Sequence, residues 1–212
     1  ANVEPPVPLG FWRSVGHSHN AFVVESFIDE VAHAAGLDPV AFRRRWLPAD
    51  SRHRQVLDRV AAMSNWGQAP PGRYQGVAVH ESFHSVVAEV VEISLQNGQP
   101  KLEKAYCAVH CGQVINPDIV VAQMEGGLLF GLSAALHGEI TLEDGAVQQG
   151  NFHDYPSLRI NEAPDVEVAI IDSDAHPTGV GEPGTPPAAP ALGNAIFAAT
   201  GQRLRDLPFK LG

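Results

Sequence analysis

Three short stretches carry side chains whose types and spacing could do chemistry. HESFH, at residues 80–84, fits H-E-x-x-H, in which two histidines hold a zinc ion and the glutamate acts as base. GVGEPG, at 179–184, sets one carboxylate, Glu182, between glycines. His17-Ser18-His19 lies near a predicted helix start, where it could meet an anion or serve as first-turn polar groups. Cys107 and Cys111, the two cysteines, are spaced C-x3-C in a strand-like run. A structural zinc would need two more thiols or histidines nearby, so buried free thiols are the expectation.

The zinc reading of HESFH requires a helix, which puts residues i and i+4 one turn apart on one face. On a continuous strand the same two residues stand about 13 Å apart, at ~3.3 Å per residue. One zinc ion needs both nitrogens at about 2.1 Å. The flanks, VAV before and SVVAEVV after, are valine-rich and predict strand. No third ligand follows at a metallopeptidase spacing. A zinc peptidase is therefore a remote reading, and His80 and His84 are expected to be polar positions beside a sheet edge.

The glycines around Glu182 let the backbone pass close to a ligand. Pro183 biases Glu182 toward extended backbone and stiffens the loop. A lone carboxylate held on a rigid loop against apolar surroundings can serve as a general base. A tight structural turn carrying a solvated glutamate fits the same residues, and both readings stay open on these grounds. A dinucleotide loop at Gly179-x-Gly181 is weak, because Pro183, Pro186 and Pro187 have no amide to offer a pyrophosphate.

The elements that must position these groups are readable in outline. From His17 to Ala35 the pattern is helical, with Val24, Ile28, Val31 and Ala35 on one face. Asp38-Pro39 caps a short helix to about Leu47, and Ser51 caps a third, with Val56, Val60 and Met63 on one face. After QAPPG (68–72) the period changes to that of strands, one or two before Asn97-Gly98 and a partner, KLEKAYCAVH, after it. Asn116-Pro117 opens a helix to about Leu136 through the small-residue run GGLLFG. A hairpin around Glu143-Asp144-Gly145, a strand at 166–172 and an alanine-rich helix after the glutamate loop complete the chain. The fold class is mixed α/β: helices packed on small mixed sheets. Residues 1–70, with an arginine-bearing loop and helices, and 71–212, with mixed sheet and helix, form two segments joined near Pro70-Pro71.

Composition narrows the function classes. The net charge is −10, so the chain as a whole is not a nucleic-acid binder. Arg43, Arg44, Arg45, Arg52, Arg54 and Arg59 read as the solvated faces of two helices. No run approaches the ~18 apolar residues of a membrane span. The opening ANVEPPVPLG reads as an extended, proline-rich segment cut from inside a longer protein.

Longer phrases then carry a resemblance. GVGEPGTPPAAPALGNAIFAATG resembles the C-terminal signature of the molybdenum-binding subunit of the xanthine dehydrogenase and aldehyde oxidase family. GFWRSVGHSHNAFVVESFIDEVA, CGQVINPDIVVAQMEGGLLFGL and NFHDYPSLRINEAPDVEVAII are similar, in order, to that family's arginine loop and helix, its N-P…Q-x-E-G helix and its N-F-x-x-Y-P segment. FWRSVGHSHNAFVVESF is nearest to the family branch of the isoquinoline 1-oxidoreductase beta subunit.

The resemblance implies a molybdenum hydroxylase that oxidises an N-heterocycle or aldehyde with oxygen derived from water. It implies a molybdenum–molybdopterin cofactor, in the cytosine dinucleotide form, and a partnering 2Fe-2S subunit. It makes Glu182 the general base, Gly181 a close backbone neighbour of the metal, and Arg13 a loop residue beside the oxo and pterin groups. Val15 falls where relatives carry an aromatic ring that stacks on substrate, and Phe130 where some carry a cofactor-binding glutamine. No metal ligand from the chain itself is implied. The family subunit is several times longer, and its pterin-gripping G-G-x-G-R-R and M-G-Q-G segments are missing from these residues. The chain thus resembles the C-terminal portion of the subunit, with the remainder as its first partner, and alone it should be inactive and hold little molybdenum. A non-catalytic fragment that folds and packs against partner domains is the alternative. The resemblance allows a bacterial periplasm or cytoplasm.

Overall fold

Valine at alternate and adjacent positions of 77–91 builds strands buried on both faces. In the computed structural model, which describes Pro5 and residues 7–211, β1 (Arg73–Ser82), β2 (Ser85–Gln96) and β3 (Gln99–His110) run antiparallel. The reading of the proline-rich opening falls largely on residues 1–4 and 6, outside the described residues. A late strand, β6 (Asp165–Ile170), joins parallel to β3, giving the order β1-β2-β3-β6. The β2–β3 turn at Asn97-Gly98 has φ of 53° and 78°, the paired left-handed turn that suits hairpin twist. The β1–β2 turn adopts the same form at Phe83 and His84, with φ of 52° and 63° and no glycine. The chain thus forms two strands here rather than one bent strand.

The helices lie on both faces of this sheet. Against one face, α4 (Pro117–His137) and α5 (Ala188–Thr200) bring Met124, Leu128, Ala191, Leu192 and Ala195 onto Val87, Val91, Ile93 and Cys107. Against the other, α2 (Pro39–Trp46) and α3 (Arg52–Met63) bring Val40, Val56, Leu57 and Val60 onto Val77, Val86, Ala88 and Val90. The caps are as their residue types predict: Asp38 accepts from Ala41 N at 2.8 Å, Ser51 from Arg54 N at 3.2 Å, and Asn116 from Ile119 N at 3.2 Å. A small hairpin of β4 (Leu142–Glu143) and β5 (Ala146–Val147) turns on Asp144-Gly145. Residues on either side of Pro70-Pro71 share these two cores, so the linker joins segments that pack on a single sheet.

Three expectations are corrected. In α1 (His17–Ala34) the buried face is Ala21, Phe22, Glu25, Asp29 and Ala32, whereas Val24 and Val31 are exposed. Periodicity pointed to the apolar stripe, but the acidic one turns inward because its charges find partners. Glu25 Oε2 accepts from Val79 N at 2.8 Å and pairs with Arg43 at 3.0 Å, and Asp29 Oδ2 pairs with Arg203 at 2.8 Å. By the same network Arg43 is buried rather than on a solvated face; Arg44 and Arg54 share Asp58. Finally, α4 is long and apolar enough, by length and composition, to cross a membrane, contrary to the reading of no span. Here its small-residue face meets protein: a Cβ at Gly131 would lie 2.7 Å from Ala188 Cβ and 2.8 Å from Thr185 O.

One core position works against the rest. Glu89, on β2 opposite Cys107, is fully buried, and neither carboxyl oxygen has a hydrogen-bond partner among the described residues. Burial drives its carboxyl well above the usual range, so the folded state holds a proton that the unfolded state releases. Stability must then fall as pH rises from the unfolded carboxylate range toward the folded one. Glu89→Met is expected to stabilise by about 1–3 kcal/mol through removal of the orphaned polar group, with a larger gain at pH 8 than at pH 5. Denaturant titrations at the two pH values check this; a gain that shrinks with rising pH contradicts it.

Candidate active site

The glutamate loop is set between α4 and the sheet. Thr178 N donates to Cys111 O at 2.9 Å and Gln113 N to Ala175 O at 2.8 Å, which ties the loop's lead-in to the end of β3. Beyond the glutamate, a Cβ on Gly127 would lie 3.1 Å from the Gly184 carbonyl carbon, and Thr185 Oγ1 donates to Gly127 O at 3.2 Å. The run GGLLFG thus supplies the bare helix face against which Gly184 and Thr185 lie.

The arginine loop reaches the glutamate loop from across the chain. Ser14 and Val15 have φ of 73° and 51°. Left-handed backbone at a β-branched residue is strained and persists only where the surroundings enforce it. They do so here. Ser14 N donates to Glu182 Oε1 at 2.8 Å, and Ser14 Oγ donates to Glu182 O at 2.7 Å. Arg13 Nε donates to Gly181 O at 2.9 Å, Nη2 also reaches that oxygen, and Nη2 reaches Gln123 Oε1 at 3.3 Å. The Arg13 guanidinium stands 5.8 Å from the Phe130 ring centre, and Trp12 packs on that ring at 4.8 Å.

Arg13, Gly181 and Glu182 are therefore brought together, and Val15, half-exposed, projects from the same loop. Glu182 is not a lone carboxylate against apolar surroundings: a main-chain amide holds one of its oxygens. Ser14 and Gln123 are members of the cluster that the motifs contained but did not single out. Ser14 follows the arginine in W-R-S, and Gln123 opens the Q-x-E-G stretch on α4.

HESFH is neither a helix nor a continuous strand. His80 to Ser82 end β1, and Phe83-His84 form the hairpin turn, so the 13 Å estimate for a straight strand does not apply while the helical zinc geometry is still not met. Glu81 is taken by Arg52 at 2.7 Å and His53 at 3.4 Å. Among the described residues no three His, Cys, Asp or Glu side chains group to hold a metal ion. His80 Nε2 lies 3.0 Å from His17 Nδ1, and burial, with His17 and His53 nearby, lowers His80 to about 4. Cys107 and Cys111 are free and buried, in keeping with their strand context.

Residues 21–164 match the sequence profile of a family described as molybdopterin cofactor-binding domain. The chain belongs to that family. It is 37% identical over 96% of its length to the beta subunit of isoquinoline 1-oxidoreductase from Brevundimonas diminuta, of which it covers 27%. It is 30% identical over 98% of its length to a nicotinate dehydrogenase subunit of Pseudomonas putida, covering 19%. The chain thus spans less than a third of the length of these relatives. In fold it is similar to quinoline 2-oxidoreductase from Pseudomonas putida 86, with a TM-score of 0.78 at 14% identity over 92% of this chain and 50% of that one. It is likewise similar to the aldehyde oxidoreductase from Desulfovibrio desulfuricans, with a TM-score of 0.73 at 14% identity over 93% and 40%.

The cluster in this molybdopterin-binding domain suits an oxygen-rich cofactor. Among the described residues, Arg13 Nη1 and the Gln123 side-chain amide nitrogen make no hydrogen bond within the chain, leaving donors at the loop junction. Gly181 is exposed, and a Cβ there would meet only Gln123 Oε1, at 3.8 Å. Bare backbone beside a guanidinium and an amide is a surface that anionic and carbonyl oxygens can approach closely.

Proposed function

We propose that this domain is the C-terminal catalytic part of a molybdenum hydroxylase that oxidises an N-heterocycle or aldehyde with oxygen derived from water, with Glu182 as the general base. The observation that carries the reading is the clasp of Ser14 on Glu182 and Arg13 on Gly181, which joins residues 168 positions apart. The names of the relatives agree in class with such an activity.

When bound, the molybdenum–pterin group supplies the two-electron oxidation and the site at which water is activated. The chain's own residues handle position and protons. The Ser14 amide holds Glu182 Oε1, which leaves Oε2 to accept a proton. Arg13 and Gln123 would hold the cofactor's oxygens next to the Gly181 backbone. Pro183 and the Gly127–Gly184 contact keep the carboxylate from swinging away. Val15, exposed on the same loop as Ser14, would offer substrate an aliphatic rather than a flat contact. The cytosine dinucleotide form of the cofactor and a 2Fe-2S subunit that takes the electrons complete the proposed assembly.

The test is Glu182→Gln in the full-length subunit, with turnover and bound molybdenum measured together; retained turnover removes Glu182 from the mechanism. A second expected result concerns residues 1–212 alone. Expressed without the rest of the subunit they should carry far less than one molybdenum per chain, because only one wall of the site is present. Elemental analysis that finds a stoichiometric amount overturns that.

A further inference from the structure

The tip of the β1–β2 hairpin touches both loops of the proposed site. On one side, His80 Nε2 and His17 Nδ1 lie 3.0 Å apart, and the Phe83 ring packs on the His17 ring at 5.3 Å. His17 is the first residue of α1, and its amide donates to Ser14 O at 2.9 Å. On the other side, Ser85 Oγ donates to Gly179 O at 2.7 Å and lies 2.6 Å from Thr178 Oγ1. A Cβ on Gly179 would stand 3.3 Å from Phe83 Cβ, so the loop's first glycine is seated on the turn itself.

These contacts close a ring. It runs from Glu182 to Ser14, through the arginine loop to His17, across to His80, around the turn to Ser85, and through Gly179 back to Glu182. Every non-covalent link is a hydrogen bond, and the turn is firmly built. Ser85 is fully buried, and Arg52 Nη1 donates to His84 O at 2.7 Å. A rigid element that fixes both ends of a two-loop site sets the distance between them.

We propose that this hairpin tip is a positioning clamp for the Glu182 carboxylate, with His80 setting the arginine loop through His17 and Ser85 setting the glutamate loop through Gly179. None of these side chains need touch substrate or cofactor. The proposal rests on Glu182 being the base, and it assigns the H-E-S-F-H stretch a role that needs no metal.

The experiment uses the full-length, cofactor-loaded enzyme with isoquinoline and benzaldehyde as test substrates. In parallel, hydrogen exchange is followed by mass spectrometry over the Trp12–His17 peptide, whose Ser14 amide reports the clasp. His80→Phe, which keeps a ring but loses the hydrogen bond, should speed Ser14 exchange about tenfold or more. It should lower kcat by about 10- to 100-fold at little-changed KM and full molybdenum content. His80→Gln, whose amide reaches the same position, should restore both. Ser85→Ala should act in the same direction and serves if His80→Phe does not fold. Wild-type exchange and kcat in His80→Phe or in Ser85→Ala overturn the clamp, as does failure of glutamine to rescue. Glu182→Gln, run alongside, separates the layers. If it is inactive while the hairpin variants are unaffected, only the clamp falls; if it keeps turnover, the base assignment and the clamp's catalytic role fall together.

Discussion

Replacing Glu182 by glutamine in the full-length subunit is expected to lower turnover by about 10²–10⁴-fold while leaving the molybdenum content unchanged. The substitution keeps size and shape. The glutamine carbonyl can still accept from Ser14 N, now made at 2.8 Å to Oε1, and the Ser14 Oγ contact is to the main chain of residue 182 and is untouched. What disappears is the negative charge and, with it, the capacity to take a proton. Loss of molybdenum together with activity would instead mark Glu182 as part of the binding surface. Steady-state kinetics beside elemental analysis distinguishes the two outcomes, and Glu182→Asp, which retracts the carboxylate while keeping its charge, should fall between wild type and glutamine.

Gly76→Ala should be among the most damaging single methyls in the domain. A Cβ at residue 76 would lie 2.1 Å from Ala195 N, 2.2 Å from Ala191 O and 2.7 Å from the Asn194 carbonyl carbon. All three are backbone atoms of α5, so no side chain can turn aside. The helix itself must lift from β1, and with it Asn194, whose amide donates to Val77 O at 3.0 Å and whose Oδ1 accepts from Arg203 at 2.8 Å. Overpacking of this kind costs about 1–3 kcal/mol and more where backbone must move. Gly10→Ala, with nothing within 4 Å of the added atom, is the control and should change stability by less than about 0.5 kcal/mol. Denaturant midpoints measure both; equal midpoints for the two variants would mean that α5 does not lie against β1 as described. Because α5 follows directly on the Glu182 loop, the site should loosen along with the core.

Much of this was legible in the chain because it depends on local physics. Asp38-Pro39, Ser51 and Asn116-Pro117 announce helix starts, since their side chains or missing amides satisfy end groups that every helix leaves open. Asn97-Gly98 announces a hairpin because few residues accept its backbone angles. The β1–β2 turn gave no such signal: Phe83 and His84 reach the same angles only because Ser85, Arg52 and Gly179 hold them there. The orientation of α1 departs from its apolar periodicity for a related reason. An apolar stripe predicts the inner face only when no charged stripe can be satisfied inside, and Arg43 and Arg203 satisfy this one.

For the site, residue type alone identified Glu182 as a carboxylate on a stiffened glycine loop, and motif resemblance added Arg13, Gly181 and Val15. The valine-rich flanks made the helical reading of HESFH remote, and the hairpin turn at Phe83-His84 decided against it. None of this could show that Ser14 would hold Glu182, that Gln123 would stand beside Arg13, or that His80 and Ser85 would brace the two loops. Those relations join residues 168, 110, 63 and 94 positions apart. Caps and turns are decided within a few residues by steric and hydrogen-bonding rules that act along the chain. Contacts between distant loops are decided only when the sheet, α4 and α5 pack and leave those loops no other place to be.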